Sequence, residues 1–157
     1  MRKVVGIGLL LIGGLLLCRM TVTASEHAQH AVALPAGPIR DRHELMESIG
    51  KHAKKIGQAV KANDAKAVVP EAEAIRAEAQ KIPALFPPGS THERSRAKPE
   101  IWTDWKKFEA STTGLEQDAS ALAQAGRDGG DIGAASKKMF ANCKSCHDAF
   151  RVPKEGE

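Results

Sequence analysis

The sequence predicts an all-α fold, an antiparallel four-helix bundle, and two features of the chain lead to this prediction. The composition is rich in alanine, lysine and glutamate while aromatic residues make up only 4%, a balance that favours helices over sheets. Apolar residues also recur at intervals of three and four residues in four separate stretches, as they do in helices that bury one face. Four such helices joined by three connections pack most simply side by side as an antiparallel bundle.

The first two helices are predicted over residues 40–62 and 64–81. Asp64 is a suitable N-cap for the second helix, and Pro70 must start, kink or interrupt it. The inward line of the first helix consists of Leu45, Ile49, His52, Ile56 and Ala59. The inward line of the second consists of Val68, Ala72, Ile75, Ala79 and Ile82. Each line keeps the spacing of a helix face that packs against a neighbour.

A long loop over residues 83–99 precedes the third helix, which is predicted to begin at Pro99 and to end near residue 125. After a turn over residues 126–130, Asp131 can cap the fourth helix. The inward line of the third helix consists of Ile101, Trp105, Phe108, Thr112, Leu115, Ala119 and Leu122. That of the fourth consists of Ile132, Ala135, Met139, Cys143, Cys146 and Phe150.

Cys143, Cys146 and His147 form the C-x-x-C-H motif of covalent haem attachment. Two thiols one helical turn apart can each add to a vinyl group of the porphyrin, and the adjacent histidine can then bind the iron. Zinc sites and thioredoxin-like centres also use C-x-x-C, but no second ligand pair and no strand-then-helix pattern accompanies the motif here. The motif therefore predicts one covalent haem c with its iron, bound near the C-terminal helix.

The N-terminus has the pattern of a secretory signal peptide. Arg2 and Lys3 precede an apolar run over residues 4–17, and small residues before position 25 suit cleavage after Ala24. The run is 14 residues long, shorter than the roughly 20 that a membrane-spanning helix needs. We expect residues 1–24 to be removed and the mature protein to be periplasmic.

Two alternatives to cleavage are a retained membrane anchor and a lipid attached at Cys18. Leu17 is bulky for the residue that precedes a lipidated cysteine, so we expect Cys18 to be removed with the leader. The remaining chain then divides into a flexible N-terminal segment over residues 25–38 and one helical domain over residues 39–157.

Cleavage changes the charge of the protein. The full chain has a formal net charge of +4, and the leader contains Arg2, Lys3 and Arg19 but no acidic residue, so the mature chain is at +1. Such a small charge gives no support to nucleic-acid binding. Cys143 and Cys146 would be the remaining cysteines, and both are assigned to the haem.

The chain resembles the class II c-type cytochromes, the cytochrome c prime family. This family carries C-x-x-C-H near the C-terminus, as here, where residues 148–151 follow the motif. The agreement extends to the spacing of Arg42 and Met46 in the first helix and to the segment over residues 86–102. Phe150 is a departure, since the family often has tyrosine there.

The resemblance implies that the side chain four residues after the first-helix arginine faces the open side of the iron. An aliphatic residue there leaves five-coordinate iron that binds small gases, whereas the low-spin branch has methionine as the sixth ligand. Met46 is therefore predicted to bind the iron opposite His147. His43, about one turn earlier, is the competing ligand, and a methionine can also simply fill a core. The resemblance further implies that Arg42 bonds a haem propionate, and we expect Arg151 to lie near the proximal imidazole.

With both axial positions filled, the iron can change oxidation state but cannot activate a substrate. The sequence therefore predicts a periplasmic one-electron carrier that is not an enzyme. It would meet redox partner proteins in transient contacts, without nucleic acid and without stable membrane insertion, and pairing into a homodimer is left open. The alternative is a five-coordinate cytochrome of the same fold that binds nitric oxide or carbon monoxide. A sensor or scaffold that uses haem only for folding is a third alternative.

Overall fold

The computed structural model describes residues 34–153, so the predicted signal peptide and most of the predicted flexible segment lie outside the described residues. The described part is helical, with one isolated antiparallel bridge between Ala97 and Arg151. The helices are α1 (Pro38–Lys61), α2 (Ala65–Ala79), α3 (Glu100–Thr103), α4 (Trp105–Asp128) and α5 (Ile132–Phe150). The four long helices α1, α2, α4 and α5 form the predicted bundle, in which α2 packs on α1 and α4, and α5 packs on α4 and α1.

Local sequence signals set the helix ends. The carboxylate of Asp64 accepts a hydrogen bond of 3.0 Å from the amide of Ala67 at the start of α2. Asp131 does the same for the amide of Ala134, at 2.9 Å, at the start of α5. These contacts satisfy amides that have no partner within their own helix, and they confirm both predicted N-caps.

The core follows the predicted inward lines closely. All five apolar residues predicted to face inward from the second helix are buried. Among the largest fully buried side chains are Ile56 of α1, Leu122 of α4 and Met139 of α5. Phe108 of α4 contacts both Phe86 and Phe150 in edge-to-face geometry, with ring centroids 4.9 and 5.4 Å apart. This aromatic cluster joins the loop before α3, the helix α4 and the end of α5.

One prediction about the helices is wrong, and two of the three alternatives for Pro70 are excluded. The third helix is not continuous, because Asp104 leaves the helical conformation, with φ −126° and ψ 53°, and so separates α3 from α4. On the α3 side of this break, the Trp102 indole donates to the backbone oxygens of Phe86 and Pro87, at 3.1 Å each. Pro70 neither starts nor interrupts the second helix, since α2 runs through it, and a kink at Pro70 stays a prediction.

The loop before α3 is joined to the end of α5 by backbone hydrogen bonds. The amide of Lys98 donates to the Phe150 oxygen at 2.9 Å, and the amide of Val152 donates to the Arg96 oxygen at 2.8 Å. This bridge holds the loop against the residues that follow the C-x-x-C-H motif. Within residues 34–153, no helix is long and apolar enough to span a membrane.

Candidate haem site

Helix α5 brings the two cysteines of the motif to the edge of the core. Cys143 and Cys146 are half-buried free thiols that pack against the core cluster, and His147 is also half-buried. The thiols are three residues apart, so the helix places them on the same face, about one turn apart. This donor set fits covalent haem attachment: two thiols on one face and an imidazole directly after them.

The surroundings of these thiols are apolar enough to change their ionisation. Burial, together with the neighbouring Cys143, raises the pKa of the Cys146 thiol from 9.0 to about 11. Burial also raises the pKa of the Cys143 thiol, and the negative charge of Asp118 adds to that rise. Both thiols are therefore neutral at pH 7 in the chain itself, which suits a site that receives an apolar macrocycle.

Helix α1 separates the two candidates for the sixth ligand. Met46 is half-buried and packs against the core cluster, one turn after the buried Arg42. The His43 side chain is 56% exposed, and its Nε2 atom lies 3.4 Å from the Glu47 carboxylate. Helix α1 therefore places Met46 on its inward face and His43 on its outer face, which favours Met46 over His43 as a distal group.

Arg42 is buried, with 5% of its surface exposed, and is held by the loop before α3. Nη1 donates to the Ser90 hydroxyl at 2.9 Å, and Nη2 donates to the Ser90 carbonyl and the Ser95 hydroxyl at 2.8 Å each. The guanidinium also lies over the Phe86 ring, 4.8 Å from its centroid, and burial lowers the pKa of Arg42. The acceptors of these hydrogen bonds are uncharged oxygens, so none of them balances the positive charge of Arg42. A haem propionate would supply a negative charge, and the predicted bond between Arg42 and a propionate stays a prediction.

Arg151 follows the last turn of α5. Its amide donates to the His147 carbonyl at 2.9 Å, and its backbone pairs with Ala97. The predicted place of its side chain beside the proximal imidazole stays a prediction.

The other described histidines lie elsewhere: His52 contacts the Glu71 carboxylate on α2, and His92 accepts from the amide of Arg94 in the loop. Within residues 34–153, no group of three or more His, Cys, Asp or Glu side chains could hold a metal ion.

Sequence reasoning missed three side chains near the site. Ser90 and Ser95 lie 48 and 53 residues from Arg42 along the chain, and no local pattern links them to it. Asp118 is buried on α4 beside the cysteine-bearing helix. Its position could have been found, because it lies three residues after Leu115 and four before Leu122, on the same inward face.

Comparisons with known proteins agree on one family. The family model described as cytochrome C' matches residues 37–151. The chain is 33% identical over 120 residues to cytochrome c' of Rhodopseudomonas palustris, a match that covers 74% of this chain and 82% of the relative. It is 32% identical over 123 residues to cytochrome c-556 of Agrobacterium tumefaciens, covering 76% of this chain and 100% of the relative.

Solved structures give the same result. Cytochrome c' from Thermochromatium tepidum superposes with a TM-score of 0.68 at 26% identity, covering 74% of this chain and 95% of that one. A nitric oxide complex of a cytochrome c prime variant from Alcaligenes xylosoxidans superposes with a TM-score of 0.67 at 26% identity, covering 75% and 98% of the two chains. The similarity thus extends over the described helices and over nearly the whole length of these neighbours.

Proposed function

Because the chain belongs to the cytochrome c' family, whose members bind a covalent c-type haem, we propose that Cys143 and Cys146 hold the haem and that His147 is the proximal iron ligand. Family membership confirms the predicted cofactor and its iron, whereas the residues that hold them are our assignment. The assignment is supported by helix α5, which presents both half-buried thiols on one face with the imidazole next in sequence. The haem supplies an iron that can bind a diatomic ligand or exchange one electron.

The proposed function is the binding of nitric oxide or carbon monoxide on the distal side of the iron. The observation that most directly supports this proposal is a structural neighbour that was solved as its nitric oxide complex. This neighbour superposes on the chain over 98% of its own length. The comparisons therefore favour gas binding over the electron carrier with His/Met ligation that the sequence predicted. In this proposal Met46 lines the distal side and gives way to the gas.

One-electron transfer is the second candidate, and Met46 is the observation that favours it. The side chain is half-buried against the core one turn beyond Arg42, and the competing His43 is on the outer face of α1. A neutral thioether that stayed on the iron would close the distal position and raise the reduction potential relative to a second imidazole. Transient redox partners belong to this candidate, and neither candidate requires the protein to be an enzyme.

Carbon monoxide binding by the reduced wild type and by Met46→Leu distinguishes the two candidates. Leucine has nearly the volume of methionine but no sulfur, so the substitution removes a ligand without opening a large cavity. If gas binding is the function, both proteins bind carbon monoxide. A wild type that stays low-spin, shows the weak near-infrared sulfur-to-iron band and binds carbon monoxide only after Met46→Leu would contradict gas binding and establish the electron carrier.

We also propose that the mature protein is periplasmic. This proposal is supported by the basic, apolar and small-residue pattern of residues 1–24, which lie outside the described residues. Assembly into a homodimer likewise remains a prediction.

A further inference from the structure

Asp118 is a buried carboxylate that takes no part in the proposed haem attachment. It lies on α4, and only 8% of its surface is exposed. A buried carboxylate carries a large desolvation cost unless charged or polar groups compensate for it. The groups that contact the Asp118 carboxylate therefore show where in the protein its negative charge acts.

These contacts lead to the haem-bearing helix. One carboxylate oxygen of Asp118 forms an ion pair with Nζ of Lys138, 3.1 Å away, and the Asn142 amide group lies 3.4 Å from the other oxygen. Lys138 and Asn142 are one turn apart on α5, and Asn142 immediately precedes Cys143. The carboxylate thus faces the side of α5 that leads into the attachment site, and its charge contributes to the raised pKa of the Cys143 thiol after the larger effect of burial.

The two charges of the Asp118 ion pair are unequally screened. The Lys138 side chain is 75% exposed, whereas the Asp118 side chain is 10% exposed. Water and salt weaken the field of an exposed ammonium strongly, but they weaken the field of a buried carboxylate much less. A net negative potential from this pair therefore remains on the interior side, next to Cys143.

We propose that Asp118 lowers the reduction potential of the haem by holding a buried negative charge beside its attachment at Cys143. The charge stabilises the oxidised ferric iron relative to ferrous iron, because the oxidised form carries one more positive charge. This inference rests on the proposed attachment site and holds for either candidate function. No sequence motif indicates it, since Asp118 and Cys143 lie on different helices.

The test is a spectroelectrochemical titration of the holoprotein, in which an electrode supplies the electron and the optical spectrum reports the ferrous fraction. Asp118→Asn keeps the shape of the side chain and removes its charge. At a fixed electrode potential, the ratio of ferrous to ferric protein should rise roughly threefold to tenfold, as expected for one charge on the order of 10–15 Å from the iron at an effective dielectric constant of about 30. Asp118→Glu keeps the charge and should stay near wild type.

Two further variants separate electrostatics from structural damage. Glu109→Gln removes an exposed carboxylate from the same helix and should leave the potential near wild type, because water screens that charge. Lys138→Gln removes the positive partner of Asp118 and should lower the potential slightly, opposite in sign to Asp118→Asn. A general loosening of the site would instead move both potentials in the same direction.

An Asp118→Asn potential at or below that of wild type would overturn the inference. If that variant does not fold, Lys138→Gln decides the matter, and an unchanged or raised potential overturns it. Haem staining of the wild type after denaturing electrophoresis is measured in parallel. Loss of colour there would refute the proposed attachment, whereas retained colour with an unmoved potential refutes only the role of Asp118.

Discussion

Gly126 of α4 packs tightly against the start of α2, and its replacement by alanine should weaken the bundle. A Cβ atom at this position would lie 2.8 Å from Cγ2 of Val69 and 3.1 Å from the backbone oxygen of Ala65. The Val69 methyl can rotate away, but the Ala65 carbonyl belongs to the first turn of α2 and can move only with the helix. Gly57 in α1 is the matched control, because a Cβ there would meet nothing within 4 Å.

The expected size of the effect follows from two opposing contributions. Alanine stabilises a helix interior by roughly 0.5–1 kcal/mol relative to glycine. Overpacking a close contact typically costs about 1–3 kcal/mol. From the midpoints of these two ranges, Gly126→Ala should lower the free energy of unfolding by about 1 kcal/mol. Gly57→Ala receives the helix contribution alone and should raise the free energy of unfolding by roughly 0.5–1 kcal/mol.

Urea unfolding of both holoprotein variants, followed by far-ultraviolet circular dichroism, measures these changes. The unfolding midpoint should fall for Gly126→Ala and rise for Gly57→Ala, with the denaturant slope unchanged. If Gly126→Ala were as stable as Gly57→Ala, the packing of α2 on α4 would have to be looser than the structure shows. The close contact at Gly126 would then be refuted.

Two further predictions concern acid stability and haem attachment. The pKa of Glu71 is lowered from 4.5, chiefly by its hydrogen bond with His52 and then by Lys55. The ionised Glu71 carboxylate therefore contributes fully to the free energy of unfolding above pH 4.5. This contribution is lost as the pH falls through the folded-state pKa. Thermal unfolding should therefore show wild type more stable than Glu71→Gln at pH 6, with the difference vanishing in strong acid; a constant difference would contradict this. A protein with both Cys143→Ala and Cys146→Ala should lose its haem stain after acid-acetone treatment, whereas each single variant should keep it through the other thioether, and a stained double variant would rule out these attachment points.

Interactions between residues close together in the chain were predictable. The five inward residues of the second helix are all buried, and Asp64 and Asp131 cap their helices as expected. A helical repeat and an N-cap depend on residues within one or two turns of each other, so the printed sequence already contains them. The C-x-x-C-H motif is local in the same sense, which is why the cofactor could be predicted before the fold was known.

The sequence by itself thus determined the helical bundle, the helix caps and the haem, while the tertiary structure decided what surrounds them. It decided that Arg42 is held by Ser90 and Ser95, that the third helix breaks at Asp104, and that Asp118 faces the cysteine-bearing helix α5. Each of these features depends on the angle and the relative axial position at which segments distant in sequence pack against each other. Periodicity shows which face of a helix is buried, but only the packed structure shows which residues meet across that face.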